Sequence, residues 1–542
     1  MGPLLTRSPM KYFFALLLAW VTFGASAQRH PAPPPPPDAP QQLARAELLL
    51  DPNTDDVQVQ ALPADTSVVL LIRHQVPGQR KSRYAFQRYG TQLRLRNEQA
   101  VDIPQEYEVR RLCTEPGVVY ALFSATDGRG RLLVAAYDVR GGQVRVQTFD
   151  TKLARHIGAT KALNGRLLAT VSLNDDQHQT VLLLDVASGK YQFLPTVYEP
   201  LNAELTSVAD RPARRAEFVL SQTNGRKQRL LLRRLSAEQG ELLNSQLVQT
   251  ESERSLLTAQ LSPPTDTTAR LLAGTYGLRD VQYAQGLFAT DLTTTATADK
   301  PALRFYDFRR LRHFFDYLKP AHEARLRGRA ARREAREATP IRWHYHLLLH
   351  ELLPQPGGGY TLIAEVYTPQ YSYSSPYNYG NYGLLPTTTL RPFGPLPGSY
   401  YGGRVLLGFR TSHVLVCGFD KRGNLLWDNT YVVTPDVVRS ELEEAVQPLT
   451  LADGRVVLAY LNGDNELHYK CINQDEAGAN DRQVQLLTFS SDGQNPDKVL
   501  DTVQPDVLPW SGNQFIASGF QRVRQGSHGA ERQVFFLQAL QF

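Results

Sequence analysis

The feature that most limits what this chain can fold into is a corner that keeps returning. In "LLVAAYDVRGGQVRVQTF" an apolar run ends at Asp138, the chain turns through Gly142 four residues later, and a second run leaves. "TVLLLDVASGKYQFL" repeats this with Asp185, Gly189 and an aromatic at Phe193, and "LLLRRLSAEQGELLN" with Ser236 and Gly240. "GFDKRGNLLWDN" is one residue tighter, from Asp420 to Gly423, with Trp427 four beyond. Two copies are weaker: Asp291 is followed by Thr295 in place of glycine, and "LLTFSSDGQ" turns near Gly493. An Asp or Ser oxygen accepts backbone N–H groups inside the turn and glycine takes the left-handed position, so each copy predicts a β-hairpin.

Spacing turns the corners into an architecture. Glycines 142, 189 and 240 lie 47 and 51 residues apart, and a period near fifty with about four strands per unit suits a β-propeller blade. The strands between, such as "VVLLI" at 68–72, "VVYALF" at 118–123, "RLLATVSL" and "RVVLAYL", are apolar without alternation. That pattern fits strands buried on both faces between stacked sheets. The expected fold is all-β, a propeller of seven blades with six or eight admitted. Blade-like units fall at about 107–150, 155–195, 204–247, 256–308, 341–433 and 447–503, and residues 67–104 and 507–542 share a seventh that closes the ring. Two rivals remain open here. Short, regularly spaced strands also suit a pair of β-sandwiches, and the alternating "VFFLQALQF" ending in Phe542 resembles an outer-membrane barrel strand.

The first residues read differently. Arg7 and Lys11 precede the apolar "YFFALLLAWVTF", and "GASA" closes with Ala25-x-Ala27. This is the order of a cleaved signal peptide over residues 1–27, too short to span a bilayer as an anchor. The expectation is export to the periplasm, the medium or the cell surface. A stiff Pro-rich linker follows over residues 28–45, and 46–542 is the propeller domain. Three cysteines, Cys113, Cys417 and Cys471, are too few for a disulfide scaffold. The sequence leaves one bridge among them open and reads Cys417, in "HVLVCGF", as a small buried hydrophobe.

The corners "DKRGNLLW" and "DVASGKYQF" are similar to those of pyrroloquinoline-quinone-type propeller repeats. That resemblance covers single turns, and implies a propeller without implying quinone binding. The region 305–429, through "HYHLLLHEL", "LIAEVYTPQY" and "GFDKRGNLLWDN", resembles a family of uncharacterised exported β-propeller-like proteins of Bacteroidota-type bacteria. This second resemblance brings no assigned activity and no catalytic residues.

Two insertions break the rhythm. Residues 305–340 predict a basic helix, with Phe308, Leu311, Phe315 and Leu318 at helical spacing on its packing side. Between Arg309 and Arg336 stand ten Lys or Arg against three acids, in a chain whose net charge is +6. Arg325, Arg329, Arg332 and Arg333 are the candidate contacts to an anionic glycan, lipopolysaccharide or an acidic protein face. A solvated helical face is the plainer meaning. Nucleic acid is not expected, because no aromatic residues interleave with the arginines. Residues 367–403 form a Tyr/Pro/Gly-rich loop in which Tyr371, Tyr373, Tyr377, Tyr379 and Tyr382 offer amphipathic contact area, against the alternative of a mobile hairpin tip.

In "WHYHLLLHE", His344, His346 and His350 fall on one strand face and form a candidate zinc half-site. His350, however, lies about 13 Å along the strand from His346. Asp175 and Asp176 in "LNDDQH" read as an acidic turn, and the adjacent Ser527 and His528 point apart. The chain has no phosphate-cradling glycine loop, no C-x-x-C pair and no H-E-x-x-H. The sequence therefore predicts an exported, non-catalytic binding scaffold with no cofactor beyond the candidate zinc. The alternative is a carbohydrate-active or other hydrolytic propeller with acids and histidines in its central channel.

Overall fold

Strands that are apolar on both sides need a sheet against each face, and the fold supplies one. In the computed structural model, residues 38–542 are described apart from 75–80, 174–177, 201–204, 211–213, 224–226, 250–251, 265–269, 279–281, 294–301, 337–340, 374–403, 435–437, 477, 479–480, 489–495 and 527–528. Among them the strands form eight antiparallel sheets, the blades of a β-propeller. In chain order blades 1 to 7 cover 55–104, 107–150, 154–200, 205–248, 255–307, 346–432 and 447–485. Blade 8 joins three strands within 498–541 to the strand Gln41–Leu48. Strands within each blade are lettered a to d outward from the ring axis.

The lettering follows from contacts. The a strands Asp55–Leu62, Tyr107–Glu115, Ala154–Leu163, Leu205–Asp210, Ser255–Leu261 and His346–Leu349 touch one another in that order. Gln447–Thr450 then touches Lys498–Pro509, which touches Asp55–Leu62. A ring of touching a strands encloses the axis. Each of eight apolar clusters spans one junction between neighbouring blades. Along "VVLLI", Val69 and Leu71 pack toward blade 2, while Val68, Leu70 and Ile72 pack toward blade 8. Full burial of each such side chain contributes about 1.5–3 kcal/mol, so the continuous runs are what hold one blade to the next.

The ring closes where the chain ends meet. Gln41–Leu48 pairs antiparallel with Glu531–Gln541, from Gln41 opposite Gln541 to Leu48 opposite Phe535. The expected pairing of the two ends is therefore present, but it builds one blade more than the favoured seven. Residues 67–104 do not share a sheet with the C-terminal strands; they gain their own a strand, Asp55–Leu62. Both strands that escaped notice, "QQLARAEL" and "DDVQVQAL", are only partly buried and carry few large apolar residues. Gln41–Leu48 also begins inside the stretch expected to be linker, so the folded unit starts at about residue 40.

The corners at Asp138, Asp185, Ser236, Asp291 and Asp420 are the same connection, from strand c to strand d, whereas the copy near Gly493 falls between blades 7 and 8. Asp138 Oδ1 accepts Arg140 N at 2.9 Å while Gly142 N closes on the Asp138 carbonyl at 2.8 Å. Asp185 and Gly189, Ser236 and Gly240, and Asp420 and Gly423 repeat the closure. Gly142, Gly189 and Gly240 sit at φ of +67°, +70° and +69°, which glycine adopts without strain. They are needed for a second reason. A Cβ there would run into Asn97, Gln147 and Leu194 respectively, all on strand d of the preceding blade. Blade 7 turns from c to d within 473–481 instead, and the copy near Gly493 lies outside the described residues.

Cys113 and Cys417 are buried thiols, Cys471 is partly buried, and no two are bridged.

Candidate functional site

The basic insertion is helical over a shorter span than its pattern suggested. Phe305 belongs to strand Arg304–Asp307, which completes blade 5. Phe308–Arg310 is a single 3-10 turn capped by Asp307, and the chain is extended at Leu311. Asp428 accepts the backbone N–H groups of Arg312 and His313 at 2.9 and 2.7 Å, fixing an irregular turn. Phe308, Leu311 and Phe315 are buried and Leu318 partly so, as the spacing implied, but from a loop rather than a helix. The helix α1, Pro320–Ala335, begins where proline takes the first-turn position that needs no N–H donor.

Helix α1 docks by Leu326, the buried Ala330 and Arg327. The Arg327 guanidinium bonds Glu323 at 2.7 Å and the carbonyls of Arg309, Leu311 and Arg312 at 2.7–3.1 Å, and lies 5.2 Å above the Phe315 ring. Of the candidate contacts, Arg325, Arg329 and Arg332 are exposed; Arg333 is half-buried and has a partner.

The Tyr-rich segment is carried on a ribbon. Tyr360–Tyr373 and Arg404–Phe419 pair from Tyr360 opposite Phe419 to Tyr373 opposite Arg404. Strand a of blade 6 reaches only to Tyr367, and strand d only to His413, so the ribbon outruns both. Tyr371 is exposed on it, and Tyr373 ends its first strand. Tyr377, Tyr379 and Tyr382 lie outside the described residues, as do Asp175, Asp176, Ser527 and His528.

Antiparallel order decides which side of the ring each insertion leaves from. In an a-b-c-d blade the b–c connection and the d–a connection to the next blade emerge on one face, and the c–d corners on the other. Residues 308–345 are the d–a connection from blade 5 to blade 6, and 374–403 the b–c connection of blade 6. Both insertions leave the same face, on neighbouring blades.

The three histidines separate into two environments. His344 and His346 both rest on the Tyr283 ring, each 4.9 Å away between centroids, and His346 stacks on Tyr367 at 5.4 Å. A small cavity beside them is lined by Leu278, Tyr283, Gln285, Arg342, Trp343 and His344. His350 is buried and turned to Glu365, with Nε2 3.0 Å from Oε1. Among the described residues no group of three or more His, Cys, Asp or Glu side chains is placed to hold a metal ion.

Glu365 leads to a constellation that sequence reasoning missed. It is fully buried on strand b of blade 6, yet takes four donors: His350 Nε2, Ala445 N at 2.8 Å, Val446 N at 2.9 Å and the Thr411 hydroxyl at 3.0 Å. The segment 438–446 is thereby tied against the inner wall, and Arg439 adds a backbone pairing with Phe409. Arg111, on strand a of blade 2, reaches Glu443 at 3.1 Å and Glu441 at 3.4 Å. Lys161, on strand a of blade 3, pairs with Glu351 at the end of strand a of blade 6. In a ring of eight, blades 2 and 3 lie across the axis from 6 and 7, so these charges bridge the central channel.

The channel shifts the protonation of what lines it. His350 loses to burial but gains more from the Glu365 hydrogen bond and the Glu444 charge, 3.7 Å from Nδ1, so its pKa stands above the ordinary value. Burial raises the Glu444 carboxyl, with His350 pulling it partly back. Asp506, on strand a of blade 8, is pushed up by burial to about 6, against the pull of Val507 N–H and Arg439. Both carboxyls keep surface open to water while protein surrounds them closely (Glu444 is 40 % exposed), which is the environment of a wet channel. The one sequence signal was Glu365 itself, an acid inside the apolar strand "TLIAEVY".

No family model and no curated protein matches the chain. Among solved structures, it is similar to a tryptophan-to-alanine mutant of the Synechocystis apocarotenoid oxygenase and to the cobalt-substituted form of that enzyme. Each has a TM-score of 0.30 and 9% identity, over 45% of this chain and 60% of the other. The chain thus spans about 60% of the length of those structures.

Proposed function

We propose that this protein is an exported binding scaffold, a rigid ring that presents the α1 arginines and the Tyr-rich ribbon together to an anionic, carbohydrate-containing partner. The observation that carries this reading is that both insertions leave one face of the ring from adjacent blades. Arginine supplies planar, paired donors for carboxylate or phosphate, and tyrosine supplies amphipathic area for sugar faces at low entropic cost. Signal cleavage near Gln28 would deliver the ring to the compartment where such partners occur. Glycan-array binding by the full mature chain, without bond cleavage, is the test. Changing Tyr371, Tyr373, Tyr377, Tyr379 and Tyr382 to Ser should abolish it; unchanged binding overturns the reading.

A second reading is favoured by the channel. Glu444 and Asp506 are carboxyls with raised pKa in reach of water, as acid–base chemistry requires. A hydrolytic propeller would show turnover of a glycan that Glu444→Gln or Asp506→Asn abolishes while the loop-tyrosine change only weakens it.

A further inference from the structure

The arginines of the basic insertion fall into two populations. Arg309 and Arg310 share Glu334 at 3.0 and 3.3 Å, Arg312 reaches Asp475 at 2.9 Å, Arg327 is committed to Glu323 and three carbonyls, and Arg333 has a partner. Arg325, Arg329, Arg332 and Arg336 have neither an ion pair nor a hydrogen bond from their side chains among the described residues, and all four are exposed. At 100° per residue these four fall within about 60° of the helix circumference, on the side away from Leu326, Arg327 and Ala330. At 1.5 Å per residue they span about 16 Å, one guanidinium every 5–6 Å. One flank of the row carries Ala324, Gly328 and Ala335, and the other His322 and Arg333.

Four unpaired guanidinium groups in a line repel one another and lose what local carboxylates gave their neighbours. We infer that this row is the seat of a linear polyanion, specifically an acidic polysaccharide that carries one carboxylate on each sugar, lying along α1. This deepens the scaffold reading above and rests on it. A regular row fits a polymer with regularly spaced charges better than it fits a compact anion, which would use two arginines at most. A lipid surface fits poorly, since helices that lie in membranes offer Trp, Phe or Leu beside their basic residues, and this row is flanked by Ala, Gly, His322 and Arg333. Multivalency supplies the affinity: once one carboxylate is held, the next is delivered at high effective concentration, whereas a single sugar acid gains nothing of the kind.

The test is titration of the full mature chain with polygalacturonate, with galacturonate monomer and with phosphatidylglycerol vesicles. The polymer should bind, the monomer should not, and raising salt from 50 to 500 mM should weaken polymer binding at least tenfold. Arg325, Arg329, Arg332 and Arg336 changed together to Gln should lose at least tenfold in polymer affinity. A second variant, Arg140, Lys190, Lys421 and Arg422 to Gln on the c–d corners of the opposite face, removes equal charge and should keep it. Equal loss in both variants would reduce the effect to net charge and overturn the inference. So would binding to vesicles without binding to polymer, or no binding to either. If array binding to other glycans survives with its tyrosine dependence while polygalacturonate fails, the row is wrong and the scaffold stands. If array binding is absent as well, both fall.

Discussion

Two clusters of charge in this ring obey opposite rules. In the channel, Glu365 takes four donors and Arg111 and Lys161 reach across the axis to find carboxylates. On α1, four arginines stand in a row with no partner among the described residues. Both clusters adjoin blade 6, α1 in the connection that leads into it and Glu365 on its second strand. Charges that hold a fold together are engaged within it, because a buried and unpaired ion costs several kcal/mol. Charges left unengaged on a well-packed helix cost little in water and remain available to something else.

The comparison breaks most sharply at Glu365. Replacing it with Leu strands the buried His350 ring and two backbone donors, and should cost about 3–5 kcal/mol in chemical denaturation. A cost under about 1 kcal/mol would mean that segment 438–446 is held by something else. Next comes the contrast within α1. Arg327→Ala removes five hydrogen bonds to four residues and a cation–π contact, and should cost about 2–3 kcal/mol. Arg329→Ala should stay within about 0.5 kcal/mol in the same assay. Equal costs would erase the distinction between the two populations.

A smaller effect tests the channel's titration. Asp506 has a folded-state pKa of about 6, above the usual unfolded value, so its contribution favours the fold at low pH and is lost as pH rises through 6. Asp506→Asn should therefore raise stability at pH 7.5 by about 1 kcal/mol, allowing for its contact with water, and make no difference near pH 3. A gain that is the same at both pH values would place the effect in packing. The smallest expected change is at a corner. Gly189→Ala must adopt φ near +70° and displace the Gln147 side chain, which should cost about 1 kcal/mol in thermal unfolding.

Much of the candidate site was within reach of the sequence, but not its logic. Arg325, Arg329, Arg332 and Arg333 were picked out together from the charge run, because charge density does not say which way a side chain turns. Arg336 completes the row in place of Arg333. Phe308, Leu311 and Phe315 were recognised as packing residues and misassigned to a helix, since Asp307 and Asp428 cap turns that apolar spacing cannot reveal. His350 drew notice as a metal ligand. Its partner Glu365 lies fifteen residues away on the next strand, and their pairing depends on register.

What the sequence determined alone is the blade. Turn chemistry, apolar runs and a period near fifty are properties of contiguous residues, and they favoured stacked four-stranded sheets over a sandwich pair or a barrel. Tertiary structure decided how many blades there are and which charges are spoken for. The eighth blade exists because Gln41–Leu48 finds Glu531–Gln541 nearly five hundred residues later, and Arg111 is paired because Glu443 stands across a channel that only a closed ring creates. Local energies select the hairpins; the choice of partner for a charge is made by distance in space, which no short window of residues contains.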